Sequence, residues 1–211
     1  MTQALCTTSK KRDKKFYRKD FESHFCIQYL EQNIIKDKRL KKWDIHKDKE
    51  YTINPGLNDR LEERYGTLIN DAYVAKMYIK WINKQVSYGA YADQDIERGE
   101  MVCEYTGVVE LETKGDDNLY LWDYPTILKE ENKRIRFCVN AEKAGNFARF
   151  INHSLRKYQN VGIQMIPSNN LWHVVYIAQK DIKRGEQLLT YYGMQYWKDR
   201  KIVPARLTPW M

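Results

Sequence analysis

Cysteine is scarce in this chain of 211 residues, and its spacing excludes two kinds of small stabilised fold. The four cysteines lie far apart and none belongs to a Cys-x-x-Cys pair; they are Cys6, Cys26, Cys103 and Cys138. A disulfide framework needs clustered cysteines, and a zinc ribbon needs closely spaced pairs of them. We therefore expect a protein of a reducing compartment that holds no metal.

Long apolar runs are lacking as well. No segment approaches the ~20 consecutive apolar residues that span a bilayer. The start of the chain, from Met1 to Arg12, lacks the apolar stretch of ~7–15 residues found in a secretory signal peptide. The sequence therefore predicts a soluble intracellular protein that neither enters a membrane nor carries a cleaved leader.

Charge is present in excess and is unevenly distributed. Lys and Arg number 36 against 28 Asp and Glu, a formal net charge of +8. Between Lys10 and Glu50 there are 14 basic and 8 acidic residues, so most of the excess falls in a predicted basic, helical arm over residues 1–55. This arm is either a solvated surface or a segment that contacts nucleic-acid phosphates or serves as a nuclear address, in a host nucleus if the protein is a microbial effector.

Periodicity divides the remainder into a helix and a β region. After the Asn54-Pro55-Gly56 turn, apolar residues recur at helical spacing, which predicts a helix over about 58–74, within a segment 56–76 that leads into the domain, with Asn58 as N-cap. From Met77 onward, apolar and polar residues alternate, and short strand-like runs continue to the C-terminus. The last two-thirds of the chain should be mainly β.

One stretch of the β region occurs twice. Residues 92–107, ADQDIERGEMVCEYTG, align without gaps to residues 178–193, AQKDIKRGEQLLTYYG, with eight of sixteen positions identical. Two copies are too few for a solenoid. They predict one supersecondary unit used twice, with Gly99 and Gly185 at turn positions that accept positive φ. Two similar hairpins without any chemistry remain the alternative.

Between the two copies of the repeat, residues 145–154 contain polar side chains interspersed with apolar ones. Asn152-His153-Ser154 is formally a glycosylation sequon, but the flanking Phe150 and Ile151 indicate burial. His153 as a metal ligand would need Cys, Asp or His at ligand spacing, and this segment has none. A buried polar loop whose groups satisfy one another is the main alternative to a functional site.

Four motifs in order resemble the SET domain of protein-lysine methyltransferases. They are Tyr88-Gly89-Ala90-Tyr91-Ala92, Glu104-Tyr105-Thr106-Gly107, Arg149-Phe150-Ile151-Asn152-His153-Ser154, and Gly185-Glu186-Gln187-Leu188 followed by Tyr192-Gly193. The resemblance covers residues 77–197 and implies a mainly β (α+β) fold of small curved sheets with a C-terminal pseudoknot. It also implies S-adenosylmethionine in one cleft, a substrate lysine on the opposite face and a narrow channel between them.

The resemblance assigns a role to each matching position of this chain. Tyr192 would be the catalytic tyrosine and Tyr105 its partner in the lysine channel. Positions matching cofactor contacts are Tyr88, Gly89, Ala90, Tyr120, Arg149, Asn152 and His153. Thr190, Tyr191 and Trp197 would complete the substrate channel. For Tyr120 and Arg149 a supporting structural role is the alternative. For Trp197 the alternatives are stacking on the adenine of the cofactor and a place in the core.

Several departures from the family pattern shape the expectations. Tyr191 stands where many members have Asp, and Thr190 stands where an aromatic residue often helps to set the number of methyl groups added. The resemblance is to a compact type without pre-SET or post-SET zinc clusters, which would leave the aromatic tail, residues 198–211, to cap the lysine channel. The pattern leaves the oligomeric state, the target lysine and the degree of methylation open.

The implied function is transfer of methyl groups from S-adenosylmethionine to the ε-amine of lysine in a protein, such as a basic histone tail. Acidic residues that would attract such a tail are Asp116, Asp117, Asp123, Glu130 and Glu131. The alternative is a catalytically silent SET-fold module that binds nucleic acid or an acidic protein. The hydroxyls of Tyr105 and Tyr192 favour the enzyme, because a binding module needs neither.

Overall fold

The computed structural model describes residues 14–113, 118–131 and 133–210. Lys10, Arg12, Cys6, Asp116 and Asp117, which entered the expectations above, lie outside these ranges. Within them, no helix is both long enough and apolar enough to cross a membrane.

Short strands dominate the described residues, as the alternation pattern predicted. The α-helices are α1 (Phe21–Phe25), α2 (Lys38–Lys41), α3 (Lys49–Ile53), α4 (Pro55–Asn70) and α5 (Met194–Arg200). The strands are β1 (Lys15–Phe16), β2 (Gln28–Tyr29), β3 (Ile34–Ile35), β4 (Met77–Asn83), β5 (Ser87–Ala92), β6 (Met101–Glu104), β7 (Val108–Leu111), β8 (Leu121–Glu130), β9 (Lys133–Asn140), β10 (Ala144–Gly145), β11 (Asn152–His153), β12 (Val161–Ser168), β13 (Leu171–Ala178) and β14 (Leu189–Thr190). Single 3-10 turns cover Arg18–Asp20, Ile45–Lys47, Phe147–Phe150 and Arg156–Tyr158.

Five small sheets make up the β structure of the described residues, in agreement with the predicted fold class. Their strand orders are β1-β4-β5, β10-β2, β11-β14, β12-β13-β6 and β3-β7-β9-β8. Buried aliphatic and aromatic side chains from several of these sheets and from the loops between them form one main core. A smaller cluster joins α4 to β12, where Tyr65 and Ile69 pack with Ile166.

Residues 14–54, which we call the N-terminal segment, differ from the expected helical arm. Their longest helices, α1 and α3, have five residues each, and β1, β2 and β3 each pair with a strand of the domain. The apolar residues between the basic clusters are buried in the common core: Phe16, Phe21, Ile27, Leu30, Leu40, Ile45 and Tyr51. Burial of these side chains holds the segment against the domain.

Helix α4 is the predicted helix, but it begins three residues earlier than expected. Asn54, not Asn58, is the N-cap, and its side-chain oxygen accepts a hydrogen bond from the Leu57 amide at 3.2 Å. Pro55 occupies the first turn, where its missing N–H costs no helical hydrogen bond. Asn58 is buried, and its amide donates to the carbonyls of Glu50 and Tyr51 at 3.2 and 3.1 Å.

The repeated sequence forms one unit used twice, as predicted, and the two copies pair with each other. Ile96 and Ile182 exchange backbone hydrogen bonds of 2.9 and 2.8 Å. Gly99 and Gly185 have φ values of +87° and +94°, which favour glycine. Each donates its amide to the first alanine of the other copy, Ala178 or Ala92, at 2.8 Å. The copies are thus related by a local two-fold arrangement.

The chain forms the expected pseudoknot near its end. Strand β14 pairs in parallel with β11, and the Leu188 amide donates to the Ala90 carbonyl at 2.8 Å. Asn160, at the end of the intervening loop, donates to the Gln187 carbonyl at 2.8 Å and accepts from the Leu189 amide at 2.7 Å. Residues 187–190 are therefore held between β5 and the loop 152–160, directly before Tyr192.

Candidate functional site

One cavity of about 1350 Å³ brings together most of the predicted site residues. Those in its lining are Tyr88, Tyr105, Tyr120, Arg149, Asn152, Tyr192 and Trp197. Gly89, Ala90, His153, Thr190 and Tyr191 lie outside the lining. Small-molecule pockets usually measure ~300–1,000 Å³, so this cavity has room for a cofactor and an extended side chain together.

Tyr192 follows β14 and is fixed at both its backbone and its hydroxyl. Its amide donates to His153 Nδ1 at 3.1 Å, and its hydroxyl donates to the Ile151 carbonyl at 2.7 Å. Burial of this hydroxyl raises its pKa, and the nearby Tyr196 and Tyr120 add to the effect. The phenol is therefore neutral at physiological pH, with its proton engaged and its oxygen lone pairs available as acceptors.

Tyr105 is arranged in the same way. It is 4% exposed, and its hydroxyl donates to the Tyr120 carbonyl at 2.9 Å. Burial raises the pKa of Tyr105 far above its ordinary value, and Tyr192 raises it further because the two hydroxyls are close enough to interact. Two neutral phenols thus face one cavity, and both use their protons on main-chain carbonyls.

Arg149 is a buried cation with an unused donor. Its guanidinium lies 3.9 Å from the Tyr120 ring centroid, and its Nη2 donates to the Glu142 carbonyl at 3.3 Å. Burial lowers the pKa of Arg149, although the group stays charged because its ordinary pKa is so high. Arg149 Nε is buried and has no hydrogen-bond partner among the described residues. An orphaned donor of this kind fits a carboxylate ligand.

Asn152 and His153 form hydrogen bonds to the backbone of two other residues of the site. The Asn152 side chain donates to the Tyr88 carbonyl at 2.8 Å. His153 accepts the Tyr192 amide at Nδ1, so its neutral form carries the ring proton on Nε2. Burial lowers the pKa of His153, which keeps the ring neutral. The contacts give His153 a positioning role for Tyr192, while its role toward a cofactor stays a prediction.

Tyr88, Gly89 and Ala90 lie in β5, and only the first reaches the cavity. A Cβ on Gly89 would lie 2.6 Å from both Ile82 Cδ1 and Gln187 Nε2, so the ends of these two side chains would have to shift to admit it. Glycine at this position therefore allows close packing behind the site. Ala90 is fully buried in the same layer.

The predicted channel residues occupy different places. Thr190 is buried in β14, and its carbonyl accepts from the Ser154 amide at 2.8 Å. Tyr191 turns away from the cavity, with the Arg156 guanidinium 4.5 Å above its ring. Trp197 lines the cavity and stacks on Tyr192 with ring centroids 5.9 Å apart. Trp197 Nε1 is buried without a hydrogen-bond partner among the described residues, so it can donate to a ligand.

Sequence reasoning missed two aromatic residues beside the tyrosines. Trp122 lines the cavity, with its ring 6.1 Å from Tyr105 and 6.2 Å from Tyr192. Tyr176, in β13, lies with its ring centroid 6.5 Å from that of Tyr105. Trp122 lies two residues after the predicted Tyr120 in the sequence, and that proximity was a signal that could have identified it. Tyr176 reads as an ordinary core residue of a strand.

The acidic residues expected to attract a basic tail are dispersed. Asp123 lines the cavity together with Glu112 and Asp199, which were not predicted. Glu130 lies at the far end of β8 and accepts a hydrogen bond from Arg39 at 2.9 Å, so it is already neutralised. Across residues 14–113, 118–131 and 133–210, no three His, Cys, Asp or Glu side chains are grouped to hold a metal ion.

Comparison with known proteins agrees with this geometry. The chain is 33% identical over 118 residues to histone-lysine N-methyltransferase EZH2 of Chaetomium thermophilum, covering 50% of this chain and 7% of that protein. It is 33% identical over 131 residues to N-lysine methyltransferase KMT5A of Xenopus tropicalis, covering 58% of this chain and 36% of the relative. These matches thus span well under two-thirds of the relatives' own length.

The fold is likewise similar to a solved structure. The crystal structure of an active polycomb repressive complex 2 in the stimulated state superposes with a TM-score of 0.50 at 28% identity, covering 67% of this chain and 18% of that one. The family model described as SET domain matches residues 87–193, just over half of the 211 residues. Together with the pseudoknot and the paired tyrosines, this match shows that the chain belongs to the SET domain family.

Proposed function

We propose that this protein transfers methyl groups from S-adenosylmethionine to the ε-amine of a lysine in a protein substrate. The observation that carries the proposal is the pair of phenols, Tyr105 and Tyr192, fixed to the carbonyls of Tyr120 and Ile151 in one cavity. The names of the relatives support the same class, since they are N-lysine and histone-lysine methyltransferases.

The residues of the cavity fit the cofactor in charge and shape. Arg149 Nε suits the carboxylate of its methionine part, and Trp197 Nε1 suits an acceptor on its adenosine part. Aromatic faces such as Tyr88 and Tyr120 tolerate a sulfonium cation. When bound, the cofactor supplies an electrophilic methyl group on a positively charged sulfur.

The chain's own contribution is to orient the amine and to favour its neutral form. A lysine of reference pKa ~10.4 needs ~4.6 kcal/mol to lose its proton at pH 7. A cavity walled by aromatic rings disfavours the ammonium by desolvation. The oxygens of Tyr105 and Tyr192, whose protons are engaged, can accept the N–H groups of the neutral amine. Its lone pair is then aimed away from these oxygens, and such alignment lowers the barrier of an in-line displacement.

The C-terminal tail is positioned to close the lysine side of the cavity. Residues 202–205 belong to the lining, and Val203 is 82% exposed. Beyond them the tail is anchored, because Leu207 is buried and the Gln187 amide donates to the Pro209 carbonyl at 2.8 Å. We infer that residues 198–210 cap the channel.

The substrate we propose is a basic protein tail, with a histone tail as the leading candidate. Glu112, Asp123 and Asp199 in the cavity lining supply the complementary charge. A histone substrate would place the protein in a nucleus, its own or that of a host.

A separate feature of the structure, an exposed basic surface, supports a second function, nucleic-acid binding. Arg39 pairs with Asp37 and Glu130, which ties α2 to the end of the β8–β9 hairpin and neutralises two acids. Exposed cations around this contact form no ion pair with any described residue: Lys38, Lys41, Lys42, Lys129, Lys133 and Arg134.

We propose that this basic surface contacts DNA phosphates, with the logarithm of the affinity falling linearly with the logarithm of the salt concentration. Lys41→Ala with Lys42→Ala should make that slope shallower by about two, and a flat response in the wild type would refute the contact.

Methyl transfer itself is tested by incubating the protein with labelled S-adenosylmethionine and core histones. We expect label in protein with the wild type, little with Tyr192→Phe, and full transfer with Tyr158→Phe, a tyrosine outside the cavity lining. Cofactor binding without transfer to histones or to any protein of a cell lysate would instead support the catalytically silent binding module.

A further inference from the structure

Part of the cavity wall comes from outside the family match. Residues 23–27, which we call the α1 wall, line the same cavity as Tyr88, Phe150 and Asn152. The family model begins at residue 87, so about 60 residues of chain separate the wall from the nearest matched motif. No sequence signal marks the wall, because it is brought to the site only by tertiary packing.

His24 holds the hydroxyl of Tyr88. Its Nε2 is hydrogen-bonded to the Tyr88 hydroxyl at 3.0 Å, and its ring stacks on Phe16 with centroids 3.8 Å apart and planes inclined by 16°. Phe16 is 1% exposed and belongs to β1. His24 is therefore a rigid partner, and it fixes the position of the Tyr88 ring at the edge of the cavity.

Phe25 extends the aromatic surface from Tyr88 to Phe150. Its ring centroid lies 5.0 Å from that of Tyr88, edge to face, and 4.8 Å from that of Phe150. Phe21, fully buried, packs against Phe25 at 5.7 Å and holds α1 in place. The helix ends at Phe25, and its C-cap Cys26 has a φ of +54°, which reverses the chain beside the cavity.

We propose that the α1 wall is part of the S-adenosylmethionine site, an inference that rests on the proposed function. Phe25 and Tyr88 present ring faces and edges to an adenosyl sulfonium ligand, which such surfaces attract. His24 acts as a positioning residue through its hydrogen bond to Tyr88. Residues that precede the SET domain thus complete its cofactor site. Removal of their contacts weakens the binding of the cofactor and leaves the binding of the protein substrate unchanged.

The first test measures the cofactor Kd by calorimetry for folded variants of the full chain. His24→Ala should raise the Kd about tenfold, the equivalent of one lost hydrogen bond, and Phe25→Leu should raise it by at least a similar factor. His46→Ala is the matched control, since His46 belongs to the same segment but not to the cavity lining, and its Kd should be unchanged. In steady-state assays both wall variants should raise the KM for cofactor and leave the KM for protein substrate unchanged, a split that a general loss of structure would not produce.

The second test needs no substitution. Cys26 is exposed and lies in the wall, whereas Cys103 and Cys138 are buried. Alkylation of Cys26 is followed by mass spectrometry of the Cys26 peptide. S-adenosylhomocysteine at ten times its Kd should slow this alkylation about tenfold, because about a tenth of the protein molecules remain free of ligand. Ligand binding with an unprotected Cys26 and unchanged Kd values would overturn the α1 wall alone. Failure of the wild type to bind either S-adenosylmethionine or S-adenosylhomocysteine would overturn the proposed function itself.

Discussion

Replacing His173 by alanine should lower the free energy of unfolding by about 3–5 kcal/mol, because it removes one partner of a buried ion pair. His173 Nδ1–H donates to Glu104 Oε1 at 2.8 Å, and Nε2–H donates to the Ser168 carbonyl at 3.2 Å. Both ring nitrogens thus face acceptors, and the imidazolium form can donate to both of them. The side chains of His173 and Glu104 are only 13% and 5% exposed, so solvent cannot replace the lost partner.

The same pair predicts a dependence of stability on pH. Burial alone would lower the pKa of His173, but the charge of Glu104, its hydrogen bond, the Ser168 carbonyl and the more distant Glu62 together raise it. The folded protein therefore holds a proton that the unfolded chain releases near pH ~6.5. Stability from this pair is complete below that pH and is lost as the pH rises through the raised folded value.

Urea unfolding of the wild type, His173→Ala and the exposed control His46→Ala, measured between pH 5.5 and 9, separates these effects. A loss of 3–5 kcal/mol corresponds to a fall in Tm of roughly 10 °C for a chain of this size. The wild type and the control should lose stability toward high pH, and His173→Ala should lose less of it. A cost below about 1 kcal/mol, typical of a surface contact, would refute the buried ion pair.

Further substitutions test the site and its supports. Tyr192→Phe should lower kcat about 100-fold or more with an unchanged cofactor Kd, measured by transfer kinetics and calorimetry. Gly89→Ala should destabilise the protein by about 1–3 kcal/mol in urea because its Cβ would displace the ends of the Ile82 and Gln187 side chains, whereas Gly66→Ala in α4 should be neutral or stabilising. Asn160→Ala removes two buried hydrogen bonds in the pseudoknot and should cost about 3 kcal/mol by the same assay. Deleting residues 1–54 should abolish cooperative thermal unfolding; a sharp transition in the shortened chain would contradict the packing described above.

The parts of the fold that could be predicted have either a regular alternation of apolar and polar residues or a recognisable sequence motif. Strand β4 was marked by the alternation from Met77 to Trp81, and the repeat marks its own two turns through Gly99 and Gly185. Two-residue strands such as β3 have no period, and β3 pairs with β7, more than 70 residues along the chain. Charge was therefore the strongest local signal in the N-terminal segment. It indicated the exposed surface of the segment, but it did not predict the burial of the apolar residues between the lysines.

The site was predictable to the same degree. Tyr105 and Tyr192 stand in motifs, so their meeting in one cavity followed from the family pattern. Tyr176 and His24 stand in none, and only packing brings them close. At the start of α4, Asn54 and Asn58 are equally good N-cap types; the proline after Asn54, which favours the first helical position, was the distinguishing signal.

The N-terminal segment does more than cover the domain. It adds an edge strand to three of the five sheets in the described residues, and edge strands left open invite aggregation. Asn33 donates to Glu104 at 2.6 Å and accepts from the Gly107 amide at 2.9 Å, and so holds both ends of the motif that contains Tyr105. Asp48 accepts hydrogen bonds from Thr126 and Trp172, at 2.6 and 2.8 Å. Because this segment also supplies the α1 wall, cofactor binding under the proposed function would add directly to the free energy that keeps it folded.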